Sequence, residues 1–145
     1  MLVRCLYASQ ATSEIEAKML DSILEQSRRN NLPRGITGML CVAGNSFIQV
    51  IEGGRAQVCE LLKAIFCDDR HRDVSLLMYE EISERRFQGW TMGQVNLKYI
   101  NPSILLKYSE TAEINPLSCP GETTMALLNE LLATGAIANR LISSQ

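Results

Sequence analysis

Charge of one sign is the first thing this chain lacks: 14 Lys and Arg stand against 16 Asp and Glu, leaving a net charge of −2 and a pI near 5.4. A non-specific nucleic-acid binder carries a basic face that neutralises phosphates, so this balance argues against that class. Long apolar runs are also missing, and nothing approaches the roughly 18 residues that a membrane helix needs. The single histidine, His71, falls on a charged loop with no serine or cysteine arranged beside it, which argues against a hydrolase triad. The five cysteines (Cys5, Cys41, Cys59, Cys67, Cys119) are odd in number, contain no C-x-x-C and fall mostly at apolar-periodic positions. They read as reduced core residues, not as disulfides or zinc ligands. No G-x-G-x-x-G phosphate loop occurs, and Gly53-Gly54 reads as a turn. The opening MLVRCLYAS, with Arg4 inside it, is strand-like and unlike a signal peptide, so the expected location is the cytoplasm.

What is present is globular: 145 residues, 46% of them hydrophobic and 21% charged, enough for one compact domain with a short appendage. Residues 2–9 alternate as a strand, with Val3, Cys5, Tyr7 and Ser9 on one face. Ser13 and Glu16 have capping-box spacing, and Ile15, Met19, Leu20, Ile23 and Leu24 recur at helical intervals up to Ser27-Arg28-Arg29-Asn30-Asn31. Pro33 and Gly35 stop that helix. Residues 36–42 and 46–52 form a hairpin around Ala43-Gly44-Asn45. A second amphipathic helix starts at Arg55, carries Val58, Leu61, Leu62, Ile65 and Phe66, and ends in the charged turn 68–73. Residues 74–82 and 90–96 read as two more strands.

The order β-α-β-β-α-β-β, with right-handed crossovers, predicts an α+β ferredoxin-like sandwich: a mixed five-stranded sheet with two helices on one face. A helical segment opened by Pro102 and a helix over about 123–142 follow. The latter's stripe (Met125, Leu128, Leu131, Leu132, Ile137, Leu141, Ile142) is expected to cover the bare face of the sheet or a partner subunit. Small residues at Gly135, Ala136 and Ala138 suggest a packed homo-oligomer.

Such folds host unrelated functions, so the site must decide. Phe47, Gln49 and Ile51 point to one face, which sets a carboxamide against the helices, where it needs polar partners. Tyr7 is an available partner, since sequential β-α-β strands usually lie side by side. From spacing alone, the pair reads first as a structural hydrogen bond. Asn30 and Asn31 end a helix, where such residues commonly act as caps. They also stand at the mouth of the groove between the helices, where an imide-like ligand edge would meet complementary donors and acceptors. Trp90 and Met92, at i, i+2 spacing, are expected on one face of the last strand, with core filling as the default.

L-Y-A-S in the first strand, S-R-R-N-N followed by G-I-T-G, F-I-Q-V-I-E-G, D-x-R-H-R-D and F-x-x-W-x-M-G occur in that order. As a set they resemble the BLUF family, sensors of blue light using FAD, over roughly residues 1–98. The resemblance implies a photosensor domain at 1–98 and a helical cap or output segment at 99–145. It implies no turnover chemistry, and a reversible rearrangement centred on the photoactive Tyr7, the switching Gln49, and Trp90 and Met92 beside them. It implies that Asn31 holds the flavin edge with Asn30 and Ser27 nearby. Ile23, Leu40, Phe47 and Ile65 would line the ring slot, and Asp68, Arg70 and His71 would lie near the ribityl and phosphate end. The implied cofactor is FAD; Ala56 and Ala64, where relatives carry longer polar side chains, leave room for FMN or riboflavin. Some 45 residues of tail are too few for an effector domain, so a homo-oligomer and a separate effector protein are the expected partners. Two other classes compete on the residues alone: an acylphosphatase-like small hydrolase, and a flavin-free ligand-binding or oligomerisation module.

Overall fold

The computed structural model describes residues 1–135. Five strands, β1 (Leu2–Ala11), β2 (Thr37–Ala43), β3 (Ser46–Gly54), β4 (His71–Ile82) and β5 (Gly93–Asn96), form one sheet in the order β4-β1-β3-β2-β5. All neighbouring pairs are antiparallel except β2 and β5, which run parallel. The sheet is therefore mixed, as expected. Helices α1 (Ala17–Asn31) and α2 (Arg55–Phe66) pack on one face, and α3 (Pro102–Tyr108) and α4 (Gly121–Thr134) on the other.

Alternation of side chains decides which layer each strand residue enters. Val3, Cys5, Phe47 and Ile51 join Leu20, Ile23, Leu24 and Val58 under the first pair of helices. Leu6, Ile48 and Val50 join Leu105, Leu127, Leu128 and Leu131 under the second pair. The wide apolar stripe of the last helix thus covers the second face of the sheet. β1 and β3, buried on both sides, read as nearly continuous apolar runs for this reason.

Several boundaries differ from the sequence reading. α1 begins at Ala17 with Glu16 at its N-cap and no side-chain cap, so the Ser13 capping box does not form. β1 runs on to Ala11, whose N–H donates to Asn45 O, and the turn that follows uses Ser13. β1 lies beside β3, while β2, its partner through α1, is one strand further out. β4 starts at His71, inside the expected charged turn, with Asp73 at φ 52°. Its register on β1 shifts twice, between Leu6 and Tyr7 and between Ala8 and Gln10. β5 is only four residues long and leaves Trp90, Thr91 and Met92 outside the ladder. α4 ends at Gly135, where φ is +73°, a left-handed conformation that glycine adopts without steric cost. The predicted continuation, with Ala136, Ile137, Ala138, Leu141 and Ile142, lies outside the described residues. Only Cys5 and Cys41 are buried; Cys59 and Cys67 are exposed, so most cysteines are not core residues.

One ion pair is sealed in the α3/α4 layer. Arg4 and Glu52 face each other across β1 and β3, with Nη2 to Oε2 at 2.7 Å and the Glu52 carboxylate fully buried. Glu52 also accepts from the backbone N–H groups of Arg86 (3.0 Å) and Phe87 (2.7 Å), and Arg4 reaches Glu80 at 2.7 Å. The pair therefore fastens the β4–β5 connection to the centre of the sheet. Removing one partner of a buried pair strands the other's charge, a loss of about 3–5 kcal/mol. Glu52→Ala is expected to lower unfolding free energy by about that much in urea titrations, and Arg4→Met/Glu52→Met by less than the sum of its single changes.

Candidate functional site

A cleft of ≈ 220 Å³ opens between α1, α2 and the sheet. Its floor comes from β1, β2 and β3 through Tyr7, Leu40, Phe47 and Gln49. α1 contributes Ile23, Gln26, Ser27, Asn30 and Asn31, a stripe at helical spacing. α2 contributes Leu61, Ala64 and Ile65, and the connection to β4 adds Asp68, Arg70 and His71. All ten side chains that the sequence marked for cofactor contact line this one cleft. Gln26, Arg34 and Leu61 were missed, although Gln26 and Leu61 lie one turn from marked residues on the same helical stripes.

Tyr7 and Gln49 are direct partners in the β1–β3 register. The Tyr7 hydroxyl donates to Gln49 Oε1, and Gln49 Nε2 donates to Met92 Sδ at 3.2 Å. Tyr7 is 1% exposed, and burial pushes its phenol well above the ordinary range, so it is a neutral donor at all ordinary pH. Asn31 is 2% exposed, and its Nδ2 has no hydrogen-bond partner among the described residues. A buried amide donor left unpaired is costly, which fits a wall built to meet a ligand acceptor.

At the other end, Asp68 and Arg70 close on each other, with Arg70 Nη2 to Asp68 Oδ2 at 2.6 Å and a further bond to Gln26 at 3.2 Å. The Arg70 hydrogen bonds hold the Asp68 carboxyl below its usual range. His71 is not isolated from serine after all: Ser9 Oγ lies 2.7 Å from its Nδ1. The β1–β4 register shift at Ser9 and the early start of β4 bring them together, a contact that linear spacing cannot reveal. Ser9 is fully buried, so this pair offers no accessible nucleophile.

Trp90 and Met92 do not share a face. Met92 packs under α1 and α2, whereas Trp90 packs with Phe87, Leu105 and Leu128 in the opposite layer. Strand alternation does not apply to 90–92, because the β5 ladder starts only at Gly93. Among the predicted photoactive set, Tyr7, Gln49 and Met92 are brought together and Trp90 is separated from them by the sheet.

The sequence profile described as "BLUF: Sensors of blue-light using FAD" matches residues 2–93. The chain belongs to the BLUF family. Its BLUF region is similar to the blue light- and temperature-regulated antirepressor BluF of Escherichia coli (strain K12), 30% identical over 87 residues, 60% of this chain and 22% of that one. The chain thus spans under a quarter of that relative's length. The photo-activated state of BlsA has a TM-score of 0.79 and 35% identity, covering 91% of this chain and 95% of its own. The dark state of BlrB, a BLUF protein, has a TM-score of 0.77 and 33% identity, covering 92% and 96%. Both structural likenesses extend past the BLUF region into the C-terminal helices.

The cleft suits the flavin that the family uses: apolar walls for a planar ring, an unpaired amide donor at Asn31 and cationic Arg34 and Arg70 in its lining. Among the described residues, no helix is long and apolar enough to cross a membrane.

Burial holds the imidazole pKa of His71 below the ordinary 6.5, against the attraction of Asp68 and with the repulsion of Arg70. The unfolded chain therefore takes up this proton first as pH falls, so His71 contributes stability that is present above pH 6.5 and lost below it. Urea titrations between pH 7.5 and about 5.5 should show stability declining toward acid, and the single histidine's proton NMR midpoint should lie below 6.5.

Proposed function

We propose that this chain is a blue-light photoreceptor that holds a flavin in the α1/α2 cleft and signals by rearranging the Tyr7–Gln49–Met92 hydrogen-bond chain. The observation that carries the reading is this buried, connected chain, whose Tyr7 and Gln49 line the same cleft as the unpaired Asn31 amide. Asn31, with Asn30 and Ser27 beside it, would hold the polar ring edge, and Ile23, Leu40, Phe47 and Ile65 would pack the ring faces. Asp68, Arg70 and His71 would meet the ribityl and phosphate end. FAD is the proposed cofactor; the short Ala64 in the wall leaves FMN and riboflavin as further ligands.

When bound, a flavin supplies blue-light absorption and a reversible electron acceptor. The protein's part follows from its own hydrogen bonds. A proton leaving the Tyr7 hydroxyl has the Gln49 amide oxygen as its first acceptor, and its return restores the neutral phenol. A carboxamide can exchange its donor and acceptor ends with little change in volume. After such an exchange, the Gln49 NH2 faces the Tyr7 oxygen, and the amide oxygen faces Met92 sulfur. A thioether accepts weakly and cannot donate, so the Gln49–Met92 bond is lost. Met92 is thereby released, and it leads directly into β5. The signal then passes from the 90–92 segment to α3 and α4, whose layer already contains Trp90, and on to a second subunit or a separate effector protein.

Blue light should shift the oxidised-flavin bands of the loaded protein slightly to the red, with full recovery in darkness. Tyr7→Phe should keep the colour and lose the shift; a full reversible shift in that variant would reject the role of Tyr7. Asn31→Ala should weaken flavin binding about 10-fold by equilibrium titration, the equivalent of one well-made hydrogen bond. A protein that stays colourless after incubation with FAD would overturn the reading as a whole.

A further inference from the structure

We infer that Ser9 is a positioning residue that fixes the tautomer of His71 and so makes the imidazole a directional hydrogen-bond donor in the cleft wall. Ser9 lies on the same face of β1 as Tyr7, two residues further along, and is fully enclosed. The one hydrogen-bond partner of its hydroxyl among the described residues is His71 Nδ1, at 2.7 Å. A serine hydroxyl has a single proton, and a buried one must be donated. Nδ1 is the acceptor at hand, so it carries no hydrogen and the ring proton resides on Nε2.

Packing fixes the ring as well as the proton. The His71 ring centroid lies 5.1 Å from that of Phe47 at an interplanar angle of 59°, and 6.4 Å from that of Tyr7 at 72°. Phe47 is the direct β3 partner of Ser9, so the hydroxyl and the aromatic wall come from one rung of the ladder. The charged and titratable groups around the ring are Asp68 and Arg70 from the α2–β4 connection and Tyr7 from β1. Asp68 and Arg70 satisfy each other, and Tyr7 is given to Gln49, so none of them competes for Nε2. Nε2 has no hydrogen-bond partner among the described residues, while His71 lines the cleft. The free N–H therefore serves a ligand acceptor: a carbonyl, hydroxyl or phosphate oxygen. This last step rests on the flavin reading, whereas the tautomer does not.

Because His71 is the only histidine, imidazole 15N labelling gives one pair of ring-nitrogen signals. In flavin-free and FAD-loaded protein at pH 7.5, the pair should show Nε2 protonated and Nδ1 bare. Ser9→Ala should collapse it toward an averaged mixture of tautomers and weaken FAD binding about 3- to 10-fold, and Ser9→Thr, which restores the hydroxyl, should recover both. A wild-type signal with the proton on Nδ1, or an unchanged pattern in Ser9→Ala, would overturn the role of Ser9. The predicted tautomer with unaltered FAD affinity in Ser9→Ala would overturn the ligand contact. Failure of the wild type to bind FAD would reject the flavin reading instead, with the flavin-free tautomer still deciding the role of Ser9.

Discussion

Two polar pairs on opposite faces of the sheet hold β1 against β3 in one register, and the layers and cleft depend on that register. Tyr7 meets Gln49 on the α1/α2 side, and Arg4 meets Glu52 on the α3/α4 side. Side chains alternate with a period of two, so a slip of one residue would carry each pair into the other layer. It would also part the partners, depriving the buried Glu52 carboxylate of its Arg4 counter-charge and the Gln49 amide oxygen of its Tyr7 donor. Apolar burial on both faces makes these strands stable, but Val, Leu and Ile exchange places easily. The polar pairs supply the specificity that apolar packing lacks.

The segment 90–92 is the place where the two layers meet outside the regular ladder. Met92 touches Gln49 in one layer, Trp90 belongs to the other, and Gly38 N–H donates to Trp90 O at 2.9 Å. Arg28 reaches from α1 to Met92 O at 3.5 Å. A short stretch of irregular backbone thus has contacts with the cleft wall, the sheet and the C-terminal helices. The proposed signal route uses it because a segment tied to β2 by the Gly38–Trp90 backbone bond, ahead of the β5 ladder, can shift with little disturbance of the sheet.

Amphipathic periodicity made both cleft helices legible in the sequence, and β-rich apolar runs punctuated by Ala43-Gly44-Asn45 did the same for the central strands and their hairpin. The cleft lining was legible only through the BLUF motifs; the fold explains why those residues converge, because one stripe of α1 and one of α2 face the same side of β1, β2 and β3. Irregular backbone hid what was missed. Trp90 and Met92 obey strand spacing only if β5 extends to them, and it does not. Ser9 and His71 meet through a register shift that no linear pattern records. Ser13 had capping chemistry, but the longer pairing of β1 took the chain past it, a tertiary override of a local signal.

The two shifts in β4 have a consequence for the sheet's outer margin. β4 is a 12-residue edge strand, and its middle, Val74–Tyr79, has no charged side chain. A straight edge of that kind is a template for intermolecular strand addition and aggregation. Here the bulges and the positive φ of Asp73 bend and twist it, while Glu80 and Glu81 charge one end. The opposite margin, β5, offers only four residues. Neither border of the sheet is a flat template for another chain, so self-assembly into an extended sheet is disfavoured.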